Sequence, residues 1–261
     1  MTRIRMIVQY DGTSYVGWQT QPNGTSIQQT IEEEIQKLSG EKVSLHGSGR
    51  TDSGVHALAQ VAHFDTNSRI PPDKWLYALN TGLPKDIRII YSEEAAEDFH
   101  ARFCVQKKHY RYTLQLGAYA GVFSRNTALH IHHKLNLELM RGAAAQILGT
   151  HDFAAFKSAG VELKSTERTI YRSQWTQRGD MAFYDVAGSG FMYNMVRILA
   201  GTMIEMGGGL LPEDAVQRAL LSKRREDAGA TAPAHGLILM RVEYPDFDTA
   251  DHIDPDGGML R

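Results

Sequence analysis

Hydrophobic and polar positions in the first hundred residues follow two different periods. Residues 3–10 are mostly apolar or β-branched and stop at Asp11-Gly12, a pattern that predicts a strand ending in a turn. Thr25 is the predicted N-cap of a helix whose apolar residues recur at helical spacing up to Gly40. The other predicted elements of this half are a helix opened by Pro71 and Pro72, and strands over 42–46, 59–64 and 87–91. Their order, β-α-β-β-α-β, is the ferredoxin-like arrangement.

The second half repeats this order. Residues 109–116 alternate aromatic or apolar side chains with polar ones and predict a strand. Asn136 is the predicted N-cap of a helix that closes at Gly149. The remaining predicted elements are a hairpin over 169–186, helices over 191–206 and 212–221, and a last strand over 237–244. The pattern predicts an α+β fold of two similar ferredoxin-like halves, with antiparallel sheets, helices on one face and a catalytic cleft between the halves.

The predicted elements divide the chain into three parts. Residues 1–104 form the predicted N-terminal half, and residues 105–245 form the C-terminal half. Residues 246–261 contain five aspartates and no apolar periodicity. We expect this last segment to be an acidic, flexible tail.

Composition narrows the class of protein. The formal net charge is −2, so the whole chain lacks the basic excess of many nucleic-acid-binding proteins. Basic residues nevertheless cluster with aromatics, as at Lys107–Tyr112, and such a cluster is compatible with an RNA-binding surface. The single cysteine excludes an intrachain disulfide, and no apolar run reaches the length of a membrane span. These features predict a cytoplasmic protein without a signal peptide or a membrane partner.

One polar, glycine-rich run, residues 49–57, carries the most informative chemistry. Its glycines allow close approach of the backbone to a ligand, and Arg50 could pair with a phosphate or lie against a base. Asp52 could act as a nucleophile or as a base. Asp and Gly are also common in solvent-exposed turns, where Asp hydrogen-bonds to nearby backbone and Gly adopts positive φ angles. The residue types alone therefore leave a catalytic loop and an ordinary turn equally open.

The exact run resembles the catalytic loop of the tRNA pseudouridine synthase A family. Five further segments resemble the family pattern in the same order along nearly the whole chain. They are Tyr10-Asp11-Gly12-Thr13 with Gly17-Trp18-Gln19, Phe99–Phe103, Lys107–Tyr112, Phe191 with Met195-Val196-Arg197 and Gly201, and Ala232-Pro233 with Gly236-Leu237, Val242 and Tyr244. Six matching segments in the family's order make coincidence an inadequate explanation.

The resemblance implies a reaction that needs neither a cofactor nor a metal. Asp52 would attack the target nucleotide, at uracil C6 or at ribose C1′, and the residues leave both routes open. Arg50 would hold the target base out of its stack, and Tyr110 would stack on the uracil and assist proton removal from C5. Arg197 would pair with Asp52 and keep it ionised. The implied substrate is tRNA, at uridines 38, 39 and 40 of the anticodon stem-loop, and the implied assembly is a homodimer.

Three alternatives belong to other classes. A non-catalytic tRNA-binding or chaperone module on the same fold would be expected to lose Asp52 or its proposed partner Arg197, and both residues are present. A small-molecule hydrolase with Asp52 as general base would require a deep apolar pocket but no basic surface. A zinc site at His130-Ile131-His132-His133 lacks the cysteine or paired carboxylate that would complete the ligand set. We therefore predict an isomerase without a bound metal.

Overall fold

The computed structural model describes residues 1–158 and 164–253. The chain divides into two compact units. The first unit contains Met1–Gln106 together with the described residues from Leu239 onward, and the second contains Lys107–Ile238. The fold is α+β, with mostly antiparallel strand pairing. The predicted fold class, an α+β fold with antiparallel strands, is therefore confirmed.

The first unit contains a complete β-α-β-β-α-β arrangement. Its elements are β1 (Thr2–Tyr10), α1 (Ile27–Ser39), β2 (His46–Gly47), β3 (His56–Thr66), α2 (Trp75–Gly82) and β4 (Ile87–Glu94). Strand β1 pairs with both β3 and β4, and β2 pairs with β3, all in antiparallel register. The strands therefore lie in the order β4-β1-β3-β2, which is the ferredoxin-like order.

Helix α1 begins one residue later than its sequence predicts. Ser26, not Thr25, is the N-cap: its backbone is extended and its hydroxyl accepts the Gln29 N–H at 3.1 Å. The predicted partner, Gln28, instead uses its side-chain oxygen to accept the Thr20 N–H. At the other end Gly40 adopts the left-handed conformation and closes the helix, as predicted.

The second unit contains the repeated pattern with additional short strands. Its elements are β5 (Lys107–Leu116), β6 (Leu129–Ile131), α3 (Leu137–Gln146), β7 (Gly149–Asp152), β8 (Glu167–Arg178), β9 (Met181–Gly188), α4 (Met195–Gly207) and α5 (Ala215–Ser222), followed by β10 (Leu237–Glu243), which continues into the first unit. Strand β9 lies between β5 and β8 in antiparallel register, and β7 extends β8. The short strand β6 runs parallel to β5.

Two boundaries in the second unit differ from the sequence prediction. Helix α4 begins at Met195 rather than at residue 191, because Asn194 takes the left-handed conformation and breaks the preceding apolar run. Gly149, the predicted helix stop, instead begins β7 with a positive φ of 93°. The predicted hairpin is confirmed, with Gly179 and Asp180 as its two-residue turn.

The start of the C-terminal segment, predicted as an acidic, flexible tail, is packed against the rest of the first unit. Phe247, Thr249 and Ile253 are buried in the first unit. The Arg5 guanidinium lies 4.0 Å from the centre of the Phe247 ring and 3.2 Å from the Asp246 carboxylate. Apolar residues interspersed among the aspartates thus give this segment a face to bury. The remaining tail residues, 254–261, lie outside the described part of the chain.

Candidate active site

The loop between β2 and β3, residues 48–55, carries the predicted catalytic run and is hereafter the catalytic loop. Its start is fixed by Gln60, which is fully buried in the middle of β3. The Ser48 hydroxyl donates to Gln60 Oε1 at 2.5 Å, and Gln60 Nε2 donates to the Gly49 carbonyl at 2.9 Å. One carboxamide therefore holds both residues that precede Arg50.

A second set of contacts fixes Thr51, the residue between Arg50 and Asp52. The buried Thr51 hydroxyl is hydrogen-bonded to the Tyr10 hydroxyl at 2.8 Å. The Thr51 carbonyl accepts the Trp18 N–H at 3.1 Å. Residues 48, 49 and 51 are thus anchored to three other segments of the first unit, which leaves little freedom in the backbone that carries Asp52.

Gly17 allows the neighbouring segment to approach the catalytic loop closely. Its φ is +107°, in a region that L-residues with a side chain rarely adopt. A Cβ atom at this position would lie 2.5 Å from the Thr51 carbonyl oxygen. The motif glycine that precedes Trp18 is therefore required for the hydrogen bond between Trp18 and the loop.

Arg50 and Asp52 alternate with the anchored residues. Arg50 is exposed, and its Nε donates to the Gln19 side-chain oxygen at 2.8 Å. Asp52 is half-buried, and its backbone carbonyl accepts the Val55 N–H at 3.1 Å, which closes a turn. The arrangement places a cation and a carboxylate two residues apart on a constrained backbone.

A second carboxylate, Asp11, lies at the base of the catalytic loop. Burial raises the pKa of Asp11, but hydrogen bonds from the Thr13 hydroxyl and amide, together with the nearby His56 ring, outweigh burial and leave the pKa below its ordinary value. His56 Nδ1 lies 3.1 Å from Asp11 Oδ1 and also accepts the Gly12 N–H at 3.1 Å. Asp11 is therefore an ionised group that organises the turn after β1.

In the second unit, the predicted Tyr110 lies on β5 with only 7% of its surface exposed. Its ring packs edge-to-face on Phe191, with centroids 5.3 Å apart. Two residues further along the same strand face, the Tyr112 hydroxyl donates to the Pro233 carbonyl at 2.8 Å. Burial raises the Tyr112 pKa, and the positive charge of Arg197 opposes that rise. Two family-like segments, around 110 and 233, are thus brought together.

Arg197 lies in the first turn of α4 and is half-buried. Its Nε donates to the Ala232 carbonyl at 2.8 Å, and one terminal nitrogen donates to Asn194 Oδ1 at 2.8 Å. One turn later, a Cβ atom on Gly201 would lie 1.9 Å from the Ala230 carbonyl oxygen. The glycine lets α4 lie directly on the 230–232 segment, which in turn orients the guanidinium.

The structure therefore places two predicted site residues, Arg50 and Asp52, on one loop of the first unit. It places Tyr110 and Arg197 on contacting elements of the second unit, β5 and α4. The sequence pattern places Gln60 on a predicted strand and indicates no role for it. A carboxamide within the apolar run Ala57–Ala62 was the signal, because a buried amide requires hydrogen-bond partners.

Two further observations concern alternatives raised by the sequence. Across residues 1–158 and 164–253, no group of three or more His, Cys, Asp or Glu side chains is arranged to hold a metal ion. His130, from the histidine-rich segment, is hydrogen-bonded through Nε2 to the Gly117 carbonyl at 2.8 Å. Within those same ranges, no helix combines the length and the apolarity needed to cross a membrane.

Comparisons with known proteins give a consistent result. A family model described as tRNA pseudouridine synthase matches residues 6–104 and 143–245, which include Arg50, Asp52 and Arg197, while Tyr110 lies between the two ranges. Proteins named tRNA pseudouridine synthase A from Acetivibrio thermocellus and Bacillus subtilis are 47% and 45% identical to this chain. These matches cover 94% and 93% of this chain and 100% and 99% of the relatives.

A third relative of the same name, from Geobacter sp. (strain M21), is 45% identical over 94% of this chain and 100% of its own length. Among solved structures, a Cbf5-Nop10-Gar1 complex is similar over 91% of this chain and 49% of that chain, with 12% identity and a TM-score of 0.41. That structural likeness is too loose to bear on the chemistry of the site.

Proposed function

Because this chain belongs to the tRNA pseudouridine synthase family, we propose that Asp52 is the nucleophile that starts the reaction at the target uridine. The protein is an isomerase that converts uridine in tRNA to pseudouridine. The observation that supports the role of Asp52 is the construction of the catalytic loop. Its residues 48, 49 and 51 are held by hydrogen bonds, and Asp52 stands half-buried on the backbone that they fix.

The proposed reaction balances as an isomerisation. The Asp52 carboxylate forms a bond to the nucleotide at uracil C6 or at ribose C1′, and the N1–C1′ bond breaks. The base turns so that C5 faces C1′, and a C5–C1′ bond forms. A carboxylate bonded to C1′ is released in this step, whereas a carboxylate bonded to C6 is released when the C5 proton is lost. The proton lost from C5 is matched by the proton gained at N1, so no external oxidant, reductant or co-substrate is consumed.

Arg50 is proposed to hold the target nucleotide out of its stack. Extruding a base from a paired stem costs a few kcal/mol, which the enzyme must offset by new contacts. Arg50 is exposed, and the hydrogen bond from its Nε to the Gln19 side-chain oxygen gives the guanidinium a defined orientation at the surface. A guanidinium suits this role because it can bind a phosphate or stack on a base.

Tyr110 and Arg197 are proposed to complete the chemistry. The edge-to-face contact with Phe191 fixes the orientation of the Tyr110 ring, which is proposed to stack on the uracil and to assist proton removal from C5. For Arg197 we propose the role that the resemblance implies, in which the guanidinium favours the ionised form of the nucleophile. Its anchoring to Ala232 and Asn194 gives that charge a defined position in its own unit.

The proposed targets are uridines 38, 39 and 40 of the anticodon stem-loop, modified in the cytoplasm by a homodimer. An RNA-binding role is supported by β8, where Arg172 and Arg178 are exposed and Tyr171 is 54% exposed. Dimerisation would allow one tRNA to contact basic surfaces of two copies. Measurement of the mass in solution tests this assembly, and a fully active monomer would contradict it.

One experiment tests the role of Asp52. The protein is incubated with tRNA carrying tritium at uracil C5, tritium release is measured, and the modified positions are mapped. Wild-type protein should release tritium at positions 38–40, and Asp52→Ala should abolish release while tRNA binding persists. Asp73→Ala, which removes an exposed carboxylate at the start of the 3₁₀ turn before α2, should behave as wild type. Release by Asp52→Ala at the wild-type rate would refute the assignment.

A further inference from the structure

The strand that follows the catalytic loop contains one carboxamide whose placement packing alone does not explain. Gln60 is fully buried on β3, between Ala59 and Val61, which are also buried. An apolar side chain of the same length would fill this space without the penalty of burying an amide. Gln60 instead directs both ends of its carboxamide to the catalytic loop, at Ser48 and Gly49.

These contacts fix the backbone at the start of the catalytic loop, three and four residues before Asp52. Gly49 has no side chain and can be held only through its backbone, and Gln60 binds its carbonyl. Ser48 is fully buried, and its amide also donates to the Val61 carbonyl at 2.7 Å. The backbone therefore enters the loop in one fixed direction, four residues before Asp52.

A second anchor acts on the other side of Arg50. The Tyr10 hydroxyl, buried at the end of β1, holds the Thr51 hydroxyl at 2.8 Å. Tyr10 and Gln60 lie on adjacent paired strands, with Tyr10 opposite Ala57 and Val8 opposite Gln60. The two anchors thus come from paired strands of the first unit and hold the residues on either side of Arg50.

We propose that Gln60 is a positioning residue that sets the orientation of the Asp52 carboxylate, with the Tyr10–Thr51 hydrogen bond as a second anchor. The proposal rests on the proposed role of Asp52 as nucleophile. Gln60 acts through the backbone of residues 48 and 49 and does not touch the reacting atoms. Its loss should lower the rate of the chemical step much more than the affinity for tRNA, because a displaced reactive group loses rate even when the substrate still binds.

The decisive experiment compares Gln60 with a second carboxamide of the first unit that is hydrogen-bonded to the backbone through both its oxygen and its nitrogen. Asn80 on α2 donates to the Ile89 carbonyl at 2.7 Å and accepts the Ile89 N–H at 2.9 Å, away from the catalytic loop. Gln60→Met and Asn80→Leu replace each carboxamide by an apolar group of similar size. We expect both variants to have a lower Tm.

The kinetics should separate the two variants. Assayed well below both Tm values, Gln60→Met should lose roughly 10–100-fold in kcat with KM for tRNA within about twofold of wild type. Asn80→Leu should keep the wild-type kcat. Equal kcat values for Gln60→Met and wild type, or equal losses in the two variants, would overturn the proposal. Failure of the wild-type protein to form pseudouridine would instead refute the proposed function.

A structural readout is independent of catalysis. Hydrogen exchange of the Ser48 and Val55 amides should accelerate in Gln60→Met and stay unchanged in Asn80→Leu, because these amides report closure of the catalytic loop. Unchanged exchange in Gln60→Met would contradict the proposed anchoring. Should Gln60→Met fail to fold, Tyr10→Phe keeps the ring beside Trp18 and removes only the hydroxyl. A wild-type kcat in Tyr10→Phe would then count against the proposal.

Discussion

The two units hold their parts of the proposed site by different physical means. In the first unit, Arg50 and Asp52 lie on a loop whose backbone is anchored by buried side-chain hydrogen bonds. In the second unit, Tyr110 and Arg197 lie on a strand and a helix, and eleven of the thirteen residues of α4 are buried. A helix supplies its own repeating backbone bonds, whereas a loop depends on partners from neighbouring elements. A catalytic loop therefore needs buried polar side chains to fix its backbone, whereas a helix or a strand does not need them.

This difference predicts opposite responses to substitution. Substitutions beside the catalytic loop should reduce the rate of the chemical step while the protein keeps most of its free energy of unfolding. Damage beneath α4 should reduce the stability of the whole fold first, because the helix is fixed by packing. Three changes test this contrast, and they follow in order of expected effect.

Gly201→Ala should have the largest effect. The added Cβ would lie 1.9 Å from the Ala230 carbonyl oxygen, so α4 must move away from the 230–232 segment. We expect a loss of about 3 kcal/mol in the free energy of unfolding, at the upper end for overpacking. Urea denaturation measures this loss. Gly142→Ala is the control, because its Cβ would meet no atom within 4 Å. Equal stabilities of the two variants would contradict the packing account of α4.

Gly17→Ala should affect catalysis more than stability. Its positive φ and the 2.5 Å approach of an added Cβ to the Thr51 carbonyl oxygen would push the catalytic loop outward. We expect kcat to fall by roughly 10–100-fold. Gly40→Ala shares a positive φ but has open space around its Cβ at the end of α1, so it should lose stability without a comparable loss of kcat. A similar kcat in Gly17→Ala and Gly40→Ala would contradict the proposal that Gly17 positions the catalytic loop.

The smallest effect concerns Asp11 and pH. Its folded-state pKa is lowered, so the folded state binds fewer protons than the unfolded state as the carboxyl titrates. The stabilisation is present above the unfolded pKa and is lost as the pH falls through the folded pKa. Because the side chain is 47% exposed, we expect a contribution of no more than about 1 kcal/mol. Asp11→Asn should flatten the acid side of the Tm profile. An unchanged profile would show that Asp11 does not stabilise the turn.

Much of the fold could be predicted because its signals are local. The apolar spacing of α1 and its stop at Gly40 are set within one helix, and the turn of the β8–β9 hairpin is set by Gly179. The start of α4 could not be predicted in this way, because the apolar run from Phe191 continues the helical pattern through Asn194. Only the left-handed backbone of Asn194 marks the break.

The residues of the proposed site also differ in whether local sequence is enough to predict them. Asp52 and Arg50 are predicted as site residues from a short contiguous run that resembles one family. The role of Gln60 depends on the register of β2 and β3, which places residues 46 and 47 opposite 63 and 62 and so brings Ser48 within reach of Gln60. A register is a property of the paired strands, so residue 60 taken alone could suggest only that its amide needs partners.

The central claim is that the carboxylate on the catalytic loop attacks the target nucleotide. An anticodon stem-loop with 5-fluorouridine at the target position lacks the C5 proton whose loss completes the reaction. If the carboxylate attacks C6, it leaves only with that proton, so the enzyme should stay bonded to the nucleotide. Mass spectrometry of the digested complex then identifies the attached peptide. We predict that the added mass lies on the peptide that contains Asp52 and is missing for Asp52→Asn. Attachment to a peptide without Asp52, or equal yields from Asp52→Asn and wild type, would contradict the account.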